Sequence, residues 1–127
     1  VDVNPWEWSK AAGFSRAVEV GDASRILFVA GQTGVGSDGT LPPDADMGQQ
    51  VRQALSNLVT VLEARAMSTR DIVRLTLYTT DVDEFLGVFP ALRSEFLGDN
   101  LPAMTLLGIS RLAFPGLKVE LEATAAG

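Results

Sequence analysis

The chain has 127 residues, of which 46% are hydrophobic and 20% charged, values that are ordinary for one globular domain and exclude a disordered polypeptide. Sixteen acidic residues against ten basic ones give a formal net charge of −6, which argues against a nucleic-acid backbone as partner. Cysteine and histidine are absent, which excludes a thiolate nucleophile, a Ser-His-Asp triad and a His- or Cys-ligated zinc site.

The N-terminal arm, residues 1–13, has no clear period and precedes the body of a single domain that we assign to 1–127. Trp6 and Trp8 are expected to pin the arm to that body, with ligand stacking as the less favoured alternative. The arm does not read as a signal peptide, and no apolar run approaches the ~20 residues that span a membrane. We therefore predict a cytoplasmic protein that binds no membrane, metal or organic cofactor.

The next segment is predicted to be a β-hairpin. Phe14 to Val20 is assigned to its first strand and Ile26 to Ala30 to its second, joined by a tight connection. Every position of the second strand is apolar, which indicates burial on both faces of a sheet.

A Gly-x-Gly-x-x-Gly match begins at Gly34 and follows the second strand. In dinucleotide-binding proteins this motif opens a helix whose N-terminus meets the phosphate. Pro42 and Pro43 follow too closely for such a helix, so we interpret the motif as a turn-rich loop and reject a nucleotide site.

Two amphipathic helices flank a central strand in the middle of the chain. Asp46, with Gln49 three residues on, forms a capping-box pattern for a helix that runs to about 65. The β-branched segment 72–80 predicts the strand. Asp81 is expected to cap the second helix, in which Pro90 predicts a kink or a break.

The C-terminal stretch predicts a second hairpin, with a strand over 103–109, a turn at Pro115-Gly116 and a strand from Leu117. Strict alternation in the last strand turns its apolar residues to the core and leaves Glu120 and Glu122 on the opposite face. The resulting order, β-β-α-β-α-β-β, is an α+β fold whose two helices cover only one face of the sheet. Because the other face also carries apolar residues, we predict a closed homo-oligomer.

Several segments, in the same order, resemble the RidA (YjgF/YER057c-type) family. They are Gly-Phe-Ser-Arg-Ala-Val from Gly13, Val-Ala-Gly-Gln from Val29, Gln-Ala-Leu-x-Asn-Leu from Gln53, Pro-Ala-x-Thr from Pro102 and Pro-Gly-x-x-Val-Glu-x-Glu-Ala from Pro115. The resemblance implies a chorismate-mutase-like fold, a homotrimer and a small-molecule ligand in clefts between subunits. Many members of the family hydrolyse reactive enamines and imines.

The resemblance also implies a site. The family cleft typically combines a tyrosine, a serine before Gly-Gln, an arginine that grips the substrate carboxylate, and a glutamate. This chain has Phe14, Ala30, Met104 and Glu120 at those positions, and Gly31 is retained. Three polar groups are thus replaced, and a more apolar ligand is expected.

Glu120 is the candidate catalytic residue, because its carboxylate can position a water or protonate a leaving amine. Pairing with Arg16, Arg74, Arg111 or Lys118 at a subunit interface is the open alternative. Phe89 and Arg16 complete the expected substrate-binding set, and whether Arg16 or Arg111 replaces the lost arginine is left open.

Two functions remain. One is a divergent imine or enamine hydrolase; the other is a non-catalytic trimer that binds a small apolar molecule. RNA cleavage, a third activity attached to the family, is disfavoured by the acidic charge and the absence of histidine.

Overall fold

The structure is a computed structural model that describes residues 1–127. Its elements in chain order are β1 (Asp2–Val3), α1 (Trp8–Ala11), β2 (Ala17–Val18), β3 (Ile26–Thr33), α2 (Met47–Glu63), a 3-10 turn (Thr69–Asp71), β4 (Ile72–Thr79), α3 (Val82–Leu97), β5 (Ala103–Gly108) and β6 (Val119–Ala126). The predicted α+β class is confirmed, and α1 and β1 are additions that lie within the N-terminal arm.

The main sheet has four strands in the order β3-β6-β4-β5, antiparallel except for the parallel pair β4 and β5. The predicted C-terminal hairpin is therefore wrong, because β4 lies between β5 and β6. The physical reason is the crossover through α3, which returns the chain beside β4 in the same direction and leaves β6 to pair on the other side of β4.

The predicted N-terminal hairpin is also wrong. Only Ala17–Val18 forms a strand there, and it pairs with Asp2–Val3 in a separate two-stranded sheet. The pairing is extended by two hydrogen bonds, in which the Val1 ammonium donates to the Glu19 carbonyl at 2.7 Å and the Glu19 N–H donates to the Val1 carbonyl at 2.8 Å. One isolated parallel bridge, from Ser15 to Ala103, joins the segment to the main sheet.

Both long helices begin where the caps were predicted. The Asp46 side chain accepts from the Gln49 N–H, and the Gln49 side chain accepts from the Asp46 N–H, each at 2.8 Å. Asp81 accepts from the Glu84 N–H at 3.0 Å. Pro90 does not divide α3 into two helices, because Pro90 and the residue one turn earlier face solvent, where water can bind the freed carbonyl.

The two sheet faces differ in what covers them. On the helix-covered face, Leu117, Val119, Leu121 and Ala123 are buried, as their alternation predicted. The opposite face carries no layer of this chain, and on β3 the side chain of Phe28 is 80% exposed. Ile26 beside it is 58% exposed, so the expected burial of this strand on both faces is not met within one chain.

Candidate functional site

The uncovered sheet face, which we call the open face, carries a double row of polar side chains. In the register of β4 and β6, Tyr78 lies opposite Glu120, Thr76 opposite Glu122, and Arg74 opposite Thr124. Alternation along both strands places these six residues on one face, because their intervening neighbours are the buried core residues. The open face thus combines a phenol and two carboxylates at one end with a guanidinium at the other.

Glu120 owes its position to Gly31. A Cβ atom on Gly31 would lie 2.6 Å from both Cδ and Oε2 of Glu120, closer than any side chain permits. Gly31 lies where the pairing of β3 and β6 is irregular, between Val29 and Gln32. The carboxylate of Glu120 therefore rests on bare backbone, a placement that any other residue at position 31 would obstruct.

The Glu120 carboxylate has no cationic partner in the chain. The ion pairs are Lys10–Glu7, Arg52–Glu95 and Lys118–Glu84. Lys118, one of the cations considered as its partner, is held instead by Glu84 at 3.4 Å. Glu120 is half-buried, and its carboxylate forms no ion pair within the chain.

Tyr78 and Glu122 form the second feature of this end of the open face. The phenol donates to Oε1 of Glu122 at 2.7 Å. This hydrogen bond, followed by desolvation and by the negative charges of Glu122 and Glu120, raises the pKa of Tyr78 above its ordinary value of 10.0. The phenol is therefore held protonated as a hydrogen-bond donor.

Replacing Glu122 with alanine is expected to lower the pKa of Tyr78, because the protonated phenol loses its acceptor and the nearest negative charge. Tyr78 is the single tyrosine, so an absorbance titration of the phenolate reports it alone. Because the folded-state pKa is raised, the stability from this contact is present below pH 10 and is lost as the pH rises through the folded-state pKa. Glu63→Ala, at the end of α2, is the control; an unchanged Tyr78 titration in Glu122→Ala would contradict this assignment.

The predicted site residues fall into two groups within one chain. Ala30 and Gly31 accompany Glu120, whereas Phe14 and Arg16 lie beside the start of β5, where Ser15 bridges Ala103. Ala103 pairs with Arg74, four residues before Tyr78 on β4, so the groups are separated by about 13 Å along the strand. One subunit therefore does not bring all the predicted residues together.

Two predicted binding residues point into the protein. Phe89 is 6% exposed and stacks on Phe85 with ring centroids 4.8 Å apart, so its role in this chain is core packing. Met104 pairs with Leu75 across β5 and β4 and packs against the core from the helix-covered face. Met104 thus fills an apolar gap at the sheet edge.

Neither arginine considered as a replacement reaches Glu120. The Arg16 guanidinium lies over the rings of Trp6 and Trp8, 5.0 and 5.3 Å from their centroids. Arg111 donates to the carbonyls of Leu112 and Ala113 in its own loop. The sequence analysis named Arg74 only as a possible partner of Glu120 and did not include Tyr78 in the site. Both residues join the open face through the pairing of β4 with β6, which alternation along a single strand does not reveal.

The acidic side chains form no group of three that could hold a metal ion, and no helix is long and apolar enough to cross a membrane.

Comparison with known proteins gives a consistent result. Residues 7–127 match the family model described as Endoribonuclease L-PSP. The 2-iminobutanoate/2-iminopropanoate deaminase of Escherichia coli is 31% identical over 107 residues, 82% of this chain and 81% of the relative. The mitochondrial protein mmf2 of Schizosaccharomyces pombe is 30% identical over 128 aligned residues, 99% of this chain and 97% of the relative.

A solved structure agrees with the fold along the whole chain. YyfB from Yersinia pestis, described as a protein of unknown function of the conserved Rid family, superposes with a TM-score of 0.89 at 31% identity. The match covers 100% of this chain and 98% of YyfB. The likeness includes the N-terminal arm as well as the sheet and helices.

Proposed function

Because the chain belongs to the Rid (YjgF/YER057c-type) family, we propose that it hydrolyses a small, rather apolar imine, or an enamine after its tautomerisation to the imine, in a cleft between the subunits of a homotrimer. The observation that carries the proposal is the Glu120 carboxylate, resting on Gly31 without a cationic partner on the open face. The predicted cytoplasmic location belongs to the same proposal.

In the proposed reaction, Glu120 takes a proton from a water molecule whose oxygen attacks the imine carbon. Glu120 gives this proton to the nitrogen, which forms the neutral carbinolamine. The carboxylate then takes the carbinolamine hydroxyl proton and passes it to the nitrogen as the C–N bond breaks, so that the carbonyl forms, ammonia leaves and the carboxylate is regenerated. Tyr78 lies opposite Glu120, and because its proton is donated to Glu122, its phenol oxygen offers an acceptor beside this centre.

The separation of the site residues supports a cleft between subunits. Glu120 lies at one end of the open face, and Phe14 and Arg16 lie near the other. In a closed ring, one end of a subunit faces the other end of its neighbour. Burial of Phe28 and Ile26 in that contact would remove the largest apolar exposure of the sheet from water.

The loss of polar groups supports a rather apolar substrate. Phe14 is half-buried against Trp8, with ring centroids 5.9 Å apart, and offers no hydroxyl. Ala30 is exposed beside Gly31 and offers none either. The thioether of Met104, which packs on the core, cannot form the bidentate contact that an arginine makes with a carboxylate.

The alternative is a trimer that binds a small apolar molecule without chemistry, and the same loss of polar groups favours it. It predicts thermal stabilisation by an apolar or aromatic-acid ligand with no turnover. RNA cleavage, which the name of the matching family model suggests, is not proposed, because the chain has a net charge of −6 and no histidine.

Ammonia release from freshly generated 2-iminobutanoate tests the proposal, the substrate being taken from the name of the E. coli relative. The same imine without its carboxylate is measured in parallel. We expect the protein to accelerate release from both compounds, because proton transfer by Glu120 does not involve the substrate carboxylate. No acceleration of either, with protein shown to be folded and trimeric, would overturn the hydrolase in favour of the binding protein.

A further inference from the structure

A pocket lies at the Arg74 end of the open face. Its volume is about 250 Å³, and residues of β2, β4, β5 and β6 line it. The lining includes Arg16, Arg74, Thr124, Val18, Val73 and Ala103. All of its lining residues belong to one chain, and Arg74 lies about 13 Å along β4 from the level of Tyr78 and Glu120.

The pocket is cationic in an acidic protein. Two guanidinium groups line it and no carboxylate does. Neither Arg16 nor Arg74 takes part in an ion pair, although the chain has sixteen acidic residues. Glu122 lines the adjoining pocket together with Arg74 but forms no ion pair with it, and its carboxylate accepts from the Tyr78 hydroxyl at 2.7 Å. Two like charges left without a counterion favour an anion between them.

Arg16 is held in place before any ligand arrives. Its guanidinium carbon lies 5.0 Å from the Trp6 ring centroid and 5.3 Å from that of Trp8, within the range of cation–π attraction. The Arg16 backbone N–H donates to Oδ1 of Asn4 at 3.0 Å, and Ser9 donates to the same oxygen at 3.1 Å. This network removes much of the entropy loss that a free arginine would undergo on binding.

We propose that this pocket binds a small organic carboxylate, with its oxygens on the N–H edges of Arg16 and Arg74 and its apolar part against Val18 and Val73. A guanidinium edge matches the two oxygens of a carboxylate. The apolar part of the lining favours a carboxylate that carries a short aliphatic chain. A phosphate ion has no apolar part to pack against Val18 and Val73, and it would lose hydration there without a compensating contact. This inference does not rest on imine hydrolysis.

Tryptophan fluorescence provides a local measurement, because both tryptophans of the chain contact Arg16. Butanoate is titrated against the full chain, with the uncharged isostere butanamide and inorganic phosphate as separate arms. Arg74→Gln removes one guanidinium and leaves the fluorescent pair intact. Arg70→Gln, at an exposed arginine outside the pocket, carries the same charge change and is the matched control.

Butanoate is expected to change the fluorescence saturably, butanamide to have no effect, and Arg74→Gln to weaken butanoate binding by about 10-fold or more. Arg70→Gln should bind as the wild type does. No saturable response to butanoate would overturn the proposal, and so would tighter binding of phosphate. Loss of the trimer in Arg74→Gln with unchanged butanoate affinity would also overturn it and make Arg74 a residue of the subunit interface.

Discussion

Substitution of Glu120 by glutamine is expected to reduce imine-dependent ammonia release by at least about 100-fold, the lower end of what acid–base catalysis contributes. Glutamine keeps the shape and hydrogen-bonding capacity of the side chain but neither accepts nor returns a proton. The measurement is kcat/KM for ammonia release. Glu63→Gln, at the end of α2 away from the open face, removes the same charge and should leave the rate unchanged.

A second variant tests whether the position of the Glu120 carboxylate matters, in addition to its presence. Gly31→Ala keeps Glu120 but places a Cβ atom 2.6 Å from its Cδ and Oε2, so the carboxylate must move. Gly31 does not have a positive φ, so alanine brings no backbone strain at this position. We expect the fold to be retained and kcat/KM to fall by about 100-fold. A displacement of a catalytic group by about 1 Å can have an effect of this size. Turnover unchanged in both variants would remove Glu120 from the mechanism.

Phe28→Glu is expected to convert the proposed homotrimer into folded monomers. The Phe28 side chain is 80% exposed on the open face, and burying a phenylalanine contributes about 1.5–3 kcal/mol in each subunit. A glutamate there places an unpaired charge in an apolar contact, at a penalty of several kcal/mol. Light scattering should give the chain mass of 13.5 kDa in place of three times that value.

The control for this experiment is Leu86→Glu. Leu86 is 49% exposed on α3, on the helix-covered side of the molecule, and the substitution adds the same charge. Its mass in solution should stay trimeric. A monomeric wild type, or a Phe28→Glu variant that keeps the trimer, would show that the open face is not the assembly surface, and circular dichroism checks that each variant is folded.

Much of the fold was readable from local patterns. Asp46 and Asp81 begin helices because their side chains accept N–H groups that the first turn leaves free, an interaction within a few residues. The burial of Val119 and Leu121 opposite exposed or half-exposed carboxylates follows from a period of two. Such features depend on near neighbours, so a single sequence contains them.

Strand pairing was not readable in the same way. Phe14 to Val20 is as apolar as a sheet strand, yet it joins the N-terminal arm, because pairing is a choice among distant partners. The last two strands are neighbours in sequence but not in the sheet, since the crossover through α3 puts β4 between them. Both errors concern long-range hydrogen bonds that no local pattern specifies.

The same distinction between local patterns and long-range contacts applies to the candidate site. The sequence alone identified the family and excluded histidine and cysteine chemistry, and the family resemblance made Glu120 the candidate for proton transfer. Only the tertiary structure decided that Glu120 rests on Gly31, that Phe89 and Met104 pack on the core, and that Arg16 and Arg74 share a pocket. The reason is that residue types limit which reactions are possible, whereas contacts between strands distant in the chain decide which groups meet.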